Sequence, residues 1–189
     1  MSKPPEPQTG NAAHRSERRA TLIAALFAGA LVAFTLGVYA RAHSATGRAP
    51  VKLGFHLPGD MKIWFTRAAA LLAVVQLTSG LRIIGRVAIP RRLPRWFGVL
   101  HRASGTLAVA LAVPVAYDCV AAFGYQMRTT RIVLHGAAGI VLFGAFTVKV
   151  IAVQRRHHPG WLVPAAGIAL FAALAALWLT SLGWPVSVD

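Results

Sequence analysis

Five ionisable residues of this chain stand inside, or just within the ends of, long apolar stretches: Arg67, His101, Asp118, His135 and Lys149. A charge at membrane depth is expensive, so it faces a bundle interior or a cavity and marks a candidate site. The chemistry open to these residue types is narrow. Imidazoles at depth suit axial ligation of a haem b iron between facing helices. A carboxylate beside an imidazole suits proton or ion movement. An arginine beside a carboxylate does neither, but it offsets much of the cost of burying both.

The elements that must position these residues can be read directly. Of 189 residues, 56% are hydrophobic and only 13% charged, which leaves too little polar surface for a soluble domain of this size. Apolar runs cover 20–40, 63–81, 99–124, 132–153 and 161–182. Each has the roughly 20 residues a helix needs to cross a hydrocarbon core about 30 Å thick. Strands of a barrel would be about half as long and would alternate in polarity. The sequence therefore predicts an all-α integral membrane protein, a bundle of five transmembrane helices over residues 20–182. A disordered polar tail is expected at 1–19, and a short tail at 183–189. The first run is too long for a signal-peptide core of about 7–15 residues and follows a polar lead, so it reads as a retained anchor.

Lys and Arg set the orientation. Thirteen fall on one side: Lys3, Arg15, Arg18 and Arg19 in the lead, then Arg82, Arg86, Arg91, Arg92, Arg95 and Arg102, then Lys149, Arg155 and Arg156. Seven fall on the other: Arg41, Arg48, Lys52, Lys62, Arg67, Arg128 and Arg131. This excess predicts a cytoplasmic N-terminus and an external C-terminus in a multi-pass plasma-membrane protein. The Ala/Arg/Val/Gly-rich composition suits a bacterium. A net charge of +15 spread over the connections points to the bilayer and its anionic lipids, and away from nucleic acid. Trp64, Trp96, Trp161 and Trp184 are placed as interfacial anchors.

Depth decides which charges can meet. At about 1.5 Å per residue, Arg67, Asp118 and His135 lie about 7, 9 and 6 Å in from the outer ends of their helices. They form one outer layer, with Tyr117 and Cys119 beside them, and predict a buried polar network built on an Arg67–Asp118 pair. An inner layer gathers His101, Arg102 and Lys149, with Gln76 somewhat deeper, and has no carboxylate of its own. His101 and His135 differ in depth by more than about 20 Å, so they cannot ligate one iron. As separate cofactor-binding candidates, His135 would need His43 or His56 as a partner, and His101 would need His157 or His158. His157 and His158 otherwise read as a solvated cap next to Arg155 and Arg156. No phosphate loop, zinc spacing or nucleophile elbow occurs.

Two resemblances attach to these residues. Leu100-His101-Arg102-Ala103-Ser104-Gly105 resembles the start of a core helix in cytochrome b561 and ferric-reductase-like membrane cytochromes. More broadly, the stretches 76–82, 100–105, 114–119, 144–149 and 160–164 resemble an uncharacterised family of five-helix membrane proteins from actinobacteria. In that family the position of Asp118 is often a His, which would complete a pair with His135; the Asp here departs from that pattern. The resemblance implies the fold and no activity.

Three functions are thus expected in outline. One is a small membrane redox protein of b-type-haem character. Another is a non-catalytic membrane subunit or scaffold that holds a protein partner. The third is a proton- or ion-coupled transporter.

Overall fold

The computed structural model describes residues 9–85, 94 and 96–181. Its five helices are α1 (Thr9–Ala42), α2 (Pro58–Ile83), α3 (Trp96–Phe123), α4 (Thr130–Gln154) and α5 (Leu162–Ser181). All five are long and apolar enough to cross a membrane. They match the five runs expected from sequence, each within a few residues except at two helix starts. The basic residues Arg86, Arg91, Arg92 and Arg95, the anchor Trp184 and the tail 183–189 lie outside the described residues.

The largest departure is at the first helix. Its polar lead, expected to be disordered to residue 19, is helical from Thr9; residues 1–8 are outside the described part. Nucleation is the costly step of helix formation, and the apolar run has already met it. Ala12, Ala13, Arg15, Glu17, Arg18 and Arg19 are all good helix formers, so the helix propagates backward through them. The second start is that of α2, which opens at Pro58, a residue suited to a first turn.

Local signals explain the other ends. The Thr129 side chain caps α4 by accepting the Ile132 N–H. Gly124 closes α3 in the left-handed conformation (φ +60°) with its N–H on the Val120 carbonyl. Pro114 sits inside α3 without ending it.

Helix order in space differs from order in sequence. α4 lies between α1 and α5, α5 touches α2, and α2 pairs with α3. The α1–α4, α4–α5 and α2–α3 pairs run antiparallel, since the start of one helix meets the end of the other. The long first connection permits this, since it carries the chain from the end of α1 across to α2 without forcing the two to pack. It also caps α3. The N–H groups of Thr46 and Gly47 donate to the carbonyls of Ala121 and Ala122, at 3.0 and 3.1 Å, while the Tyr125 N–H donates to Ala40. Helix-end carbonyls that would otherwise lack partners are thereby satisfied. Within this connection Phe55 packs edge-on to Phe65, while Leu53 and Leu57 face outward.

Packing is inverted relative to a water-soluble bundle. The buried apolar residues are mostly alanines, such as Ala25, Ala69, Ala73, Ala108, Ala138, Ala152, Ala166 and Ala173. Large side chains point outward: Phe27 is 69% exposed, Phe34 70%, Leu71 71% and Ile168 67%. Where α1, α4 and α5 meet, Ala25, Ala152 and Leu162 form a sealed cluster edged by Leu22, Val148, Ile151 and Val163.

Candidate functional site

The polar residues of the helices gather at the two ends of the bundle. At the far end, where α1 finishes, Asp118 is the most deeply placed. It lies on the buried stripe Ser104, Ala108, Asp118 and Ala122 of α3 and is 0% exposed. Its Oδ1 accepts the Val51 N–H at 3.0 Å. No hydrogen bond to its Oδ2 occurs among the described residues.

Arg67 does not pair with Asp118. Trp64, Arg67, Leu71, Val74 and Thr78 recur at alternating spacings of three and four and form the outward stripe of α2, all exposed. The guanidinium stands 6.0 Å from the Trp64 ring centroid, a cation–π contact on the outer surface. Position along the helix says how far in a residue lies, and rotation about the helix axis decides which way it faces; Arg67 faces outward. The backbone of the first connection takes the place expected for the arginine.

His135 belongs to a separate contact between α4 and α5. Its Nδ1 meets Thr180 Oγ1 at 2.8 Å. One turn earlier, Arg131 Nε donates to the Thr180 carbonyl at 2.7 Å. Thr180 also donates its hydroxyl proton to the Ala176 carbonyl at 2.6 Å. The Thr180 hydroxyl thus joins the His135 ring to the backbone of α5. The three members of the expected outer network thus have three different sets of partners.

At the near end the centre is the α2–α3 contact. His101 Nδ1 meets Ser79 Oγ at 2.7 Å, and Ser79 donates to the Val75 carbonyl at 2.5 Å. The Ser79 hydroxyl thus holds the His101 ring at Nδ1 against α2. Gln76, expected only as a deeper neighbour, is the residue that joins the helices. Its Nε2 donates to the His101 carbonyl and to Ser104 Oγ, the latter at 2.8 Å. Gly80 and Gly105 make room: a Cβ on Gly80 would lie 3.5 Å from His101 Cε1, and one on Gly105 would lie 2.8 Å from Gln76 Oε1. Arg102 faces outward and Lys149 is half-buried on α4.

The loop-borne histidines have other neighbours than those expected. His43 stacks on Tyr39, with ring centroids 5.4 Å apart. His158 Nδ1 lies 3.1 Å from the Pro159 carbonyl. His157 meets the start of α1, with its Nδ1 2.9 Å from Glu17 Oε2 and its ring 5.0 Å from that of His14. Among the described residues, His14, Glu17 and His157 are the one group of three His, Cys, Asp or Glu side chains close enough to share an ion. Sequence reasoning passed over it. The His14-x-x-Glu17 spacing was a usable signal only if the lead was helical, and nothing local ties it to residue 157.

Residues 22–188 match the model of a family described as a family of unknown function, DUF6529. The expected membership of an uncharacterised family is met, and the match spans helices α2 to α5 and most of α1. No curated protein and no solved structure matches the chain. The short cytochrome b561 resemblance at 100–105 gains no support from these comparisons.

Proposed function

The chain belongs to the family of unknown function DUF6529, and we propose that it is a multi-pass protein of the bacterial plasma membrane, a non-catalytic subunit or scaffold with a cytoplasmic N-terminus. Membrane residence is supported by the inverted packing. An outer surface that presents Phe27, Phe34, Leu71 and Ile168 would be an aggregation hazard in water and carries no such penalty among lipid tails. Orientation follows from the excess of Lys and Arg on the side where α1 begins.

The observation that carries the scaffold reading is the use made of the polar groups. Asp118 ties the first connection to α3, His135 ties α4 to α5, and His101 and Gln76 tie α2 to α3. Each links two elements of the bundle, as interhelical polar contacts do in membranes. The outer apolar faces of the helices then remain for lipid and for a protein partner in the membrane, with anionic lipids at the basic end.

A second reading keeps one specific support. Fixing Nδ1 by an outer hydrogen bond is how a metal-ligating histidine is commonly oriented, and His101 has that arrangement with Ser79. A haem b held by His101 would need a second ligand from outside the α2–α3 contact.

One absorption spectrum separates the two. Full-length protein purified from haem-replete cells, oxidised and then reduced with dithionite, is expected to be colourless. Soret and α bands that vanish in His101→Ala would overturn the scaffold reading in favour of haem.

A further inference from the structure

We propose that His14, Glu17 and His157 form a binding site for a divalent transition-metal ion, of which Zn²⁺ is the type. The chain has five Asp and Glu residues, and among the described residues Glu17 is the one set between two imidazoles. Its Oε2 lies 2.9 Å from His157 Nδ1 and 4.0 Å from His14 Nδ1, and the three donor atoms lie within 4.8 Å of one another. Ligands about 2.0–2.1 Å from a tetrahedral ion stand about 3.3 Å apart. Closing the set therefore takes shifts of roughly an ångström by side chains that are each partly exposed.

The backbone is already in register. His14 and Glu17 are one turn apart on α1 and share a face. The sealed contact of Ala25, Ala152 and Leu162 fixes α1 against α4 and α5, and so holds the connection that carries His157 beside that face. Two imidazole nitrogens and one carboxylate oxygen suit borderline ions such as zinc, and are a poor set for calcium or magnesium. Three protein ligands leave a coordination position open. Arg15 and Arg18 share the cleft with His14 and His157, and their charge favours an anion in that position. A bound ion would clamp the helical lead of α1 to the α4–α5 connection.

The test uses the full-length untagged chain in detergent, titrated with Co²⁺ and then with Zn²⁺. Expected are visible d–d bands that saturate at one Co²⁺ per chain and are abolished by Zn²⁺. His14→Ala, Glu17→Gln and His157→Ala should each weaken binding by about tenfold or more, while the variants keep the elution volume of the wild type. Saturation that is unchanged in the triple variant would mean binding elsewhere, and would overturn the site. So would the absence of cobalt bands in the wild type, which would leave Glu17 and His157 as an ion pair only.

Discussion

Gly29 of α1 and Gly144 of α4 cross backbone to backbone. A Cβ built on Gly29 would lie 2.8 Å from the Gly144 carbonyl oxygen, and one built on Gly144 would lie 3.0 Å from that of Gly29. Ala33, one turn on from Gly29, would stand 3.2 Å from the Gly144 Cβ. Val148 Cγ2 also stands in the way of a Gly29 Cβ, but the two carbonyl oxygens are backbone and cannot swing aside. This is the close approach that small residues permit between helices in a membrane. Gly144→Leu should therefore cost about 1–3 kcal/mol by overpacking, read as a lower unfolding midpoint in mixed detergent–SDS micelles. Gly139→Ala on the same helix is the control: nothing lies within 4 Å of its Cβ position, so it should be neutral or gain up to about 1 kcal/mol from helix propensity. Equal losses for the two would mean that the crossing is elsewhere.

The α2–α3 contact should behave as one unit. Gln76→Leu and Ser104→Ala each break the same hydrogen bond, so their combined cost should fall short of the sum. Polar contacts between membrane helices are worth about 0.6 kcal/mol on average, which sets the size of the expected coupling. A double-mutant cycle in the same micelles measures it, and strict additivity would remove Gln76 from its joining role.

Asp118 should hold the first connection through Val51 and owe nothing to Arg67. Asp118→Ala removes the acceptor for the Val51 N–H, at a cost of about 1–3 kcal/mol, and should make residues 41–57 more sensitive to limited proteolysis. Asp118→Asn retains an acceptor oxygen and should protect much better. Arg67→Ala should leave the cleavage pattern as it is, because that side chain lies on the outer stripe of α2. If Arg67→Ala loosened the connection as Asp118→Ala does, the two would be paired after all.

His101 and His135 sit at opposite ends of the bundle with different partners, Ser79 and Thr180. Distant sites without shared partners add to within about 0.5 kcal/mol. The double variant His101→Ala with His135→Ala should therefore lose the sum of the single losses. A large coupling would point to a shared ligand.

Orientation is checked with fusions at the two termini. A periplasm-dependent reporter such as alkaline phosphatase should be active when joined after Asp189. A cytoplasm-dependent reporter should be active when joined before Met1. The reverse pattern would show that the Lys and Arg excess does not set the topology of this chain.

The number of helices and their apolar extents were legible in the residues, the polar lead of α1 excepted, because a helix that crosses lipid must satisfy its own backbone over about 20 apolar residues. The depth of each charge along its helix was legible for the same reason, since the rise per residue is fixed. That was enough to separate His101 from His135. Rotation was harder. The outward stripe Trp64, Arg67, Leu71, Val74 and Thr78 mixes apolar and polar types, so no periodic contrast marks which face of α2 meets lipid. The expected Arg67–Asp118 pair failed at that point. His14, Glu17 and His157 were invisible for a different reason: they are joined across about 140 residues by the choice of α4, and not α2, as the neighbour of α1.

The sequence by itself determined that there are five helices, where most of their ends fall and how far along its helix each ionisable group sits, because these follow from hydrocarbon thickness and helix geometry. Only the tertiary structure decided which side chains meet. Helices in lipid gain nothing from simply burying apolar surface against each other, so their neighbours are chosen by close fits such as Gly29 on Gly144 and by polar links such as Gln76 to Ser104.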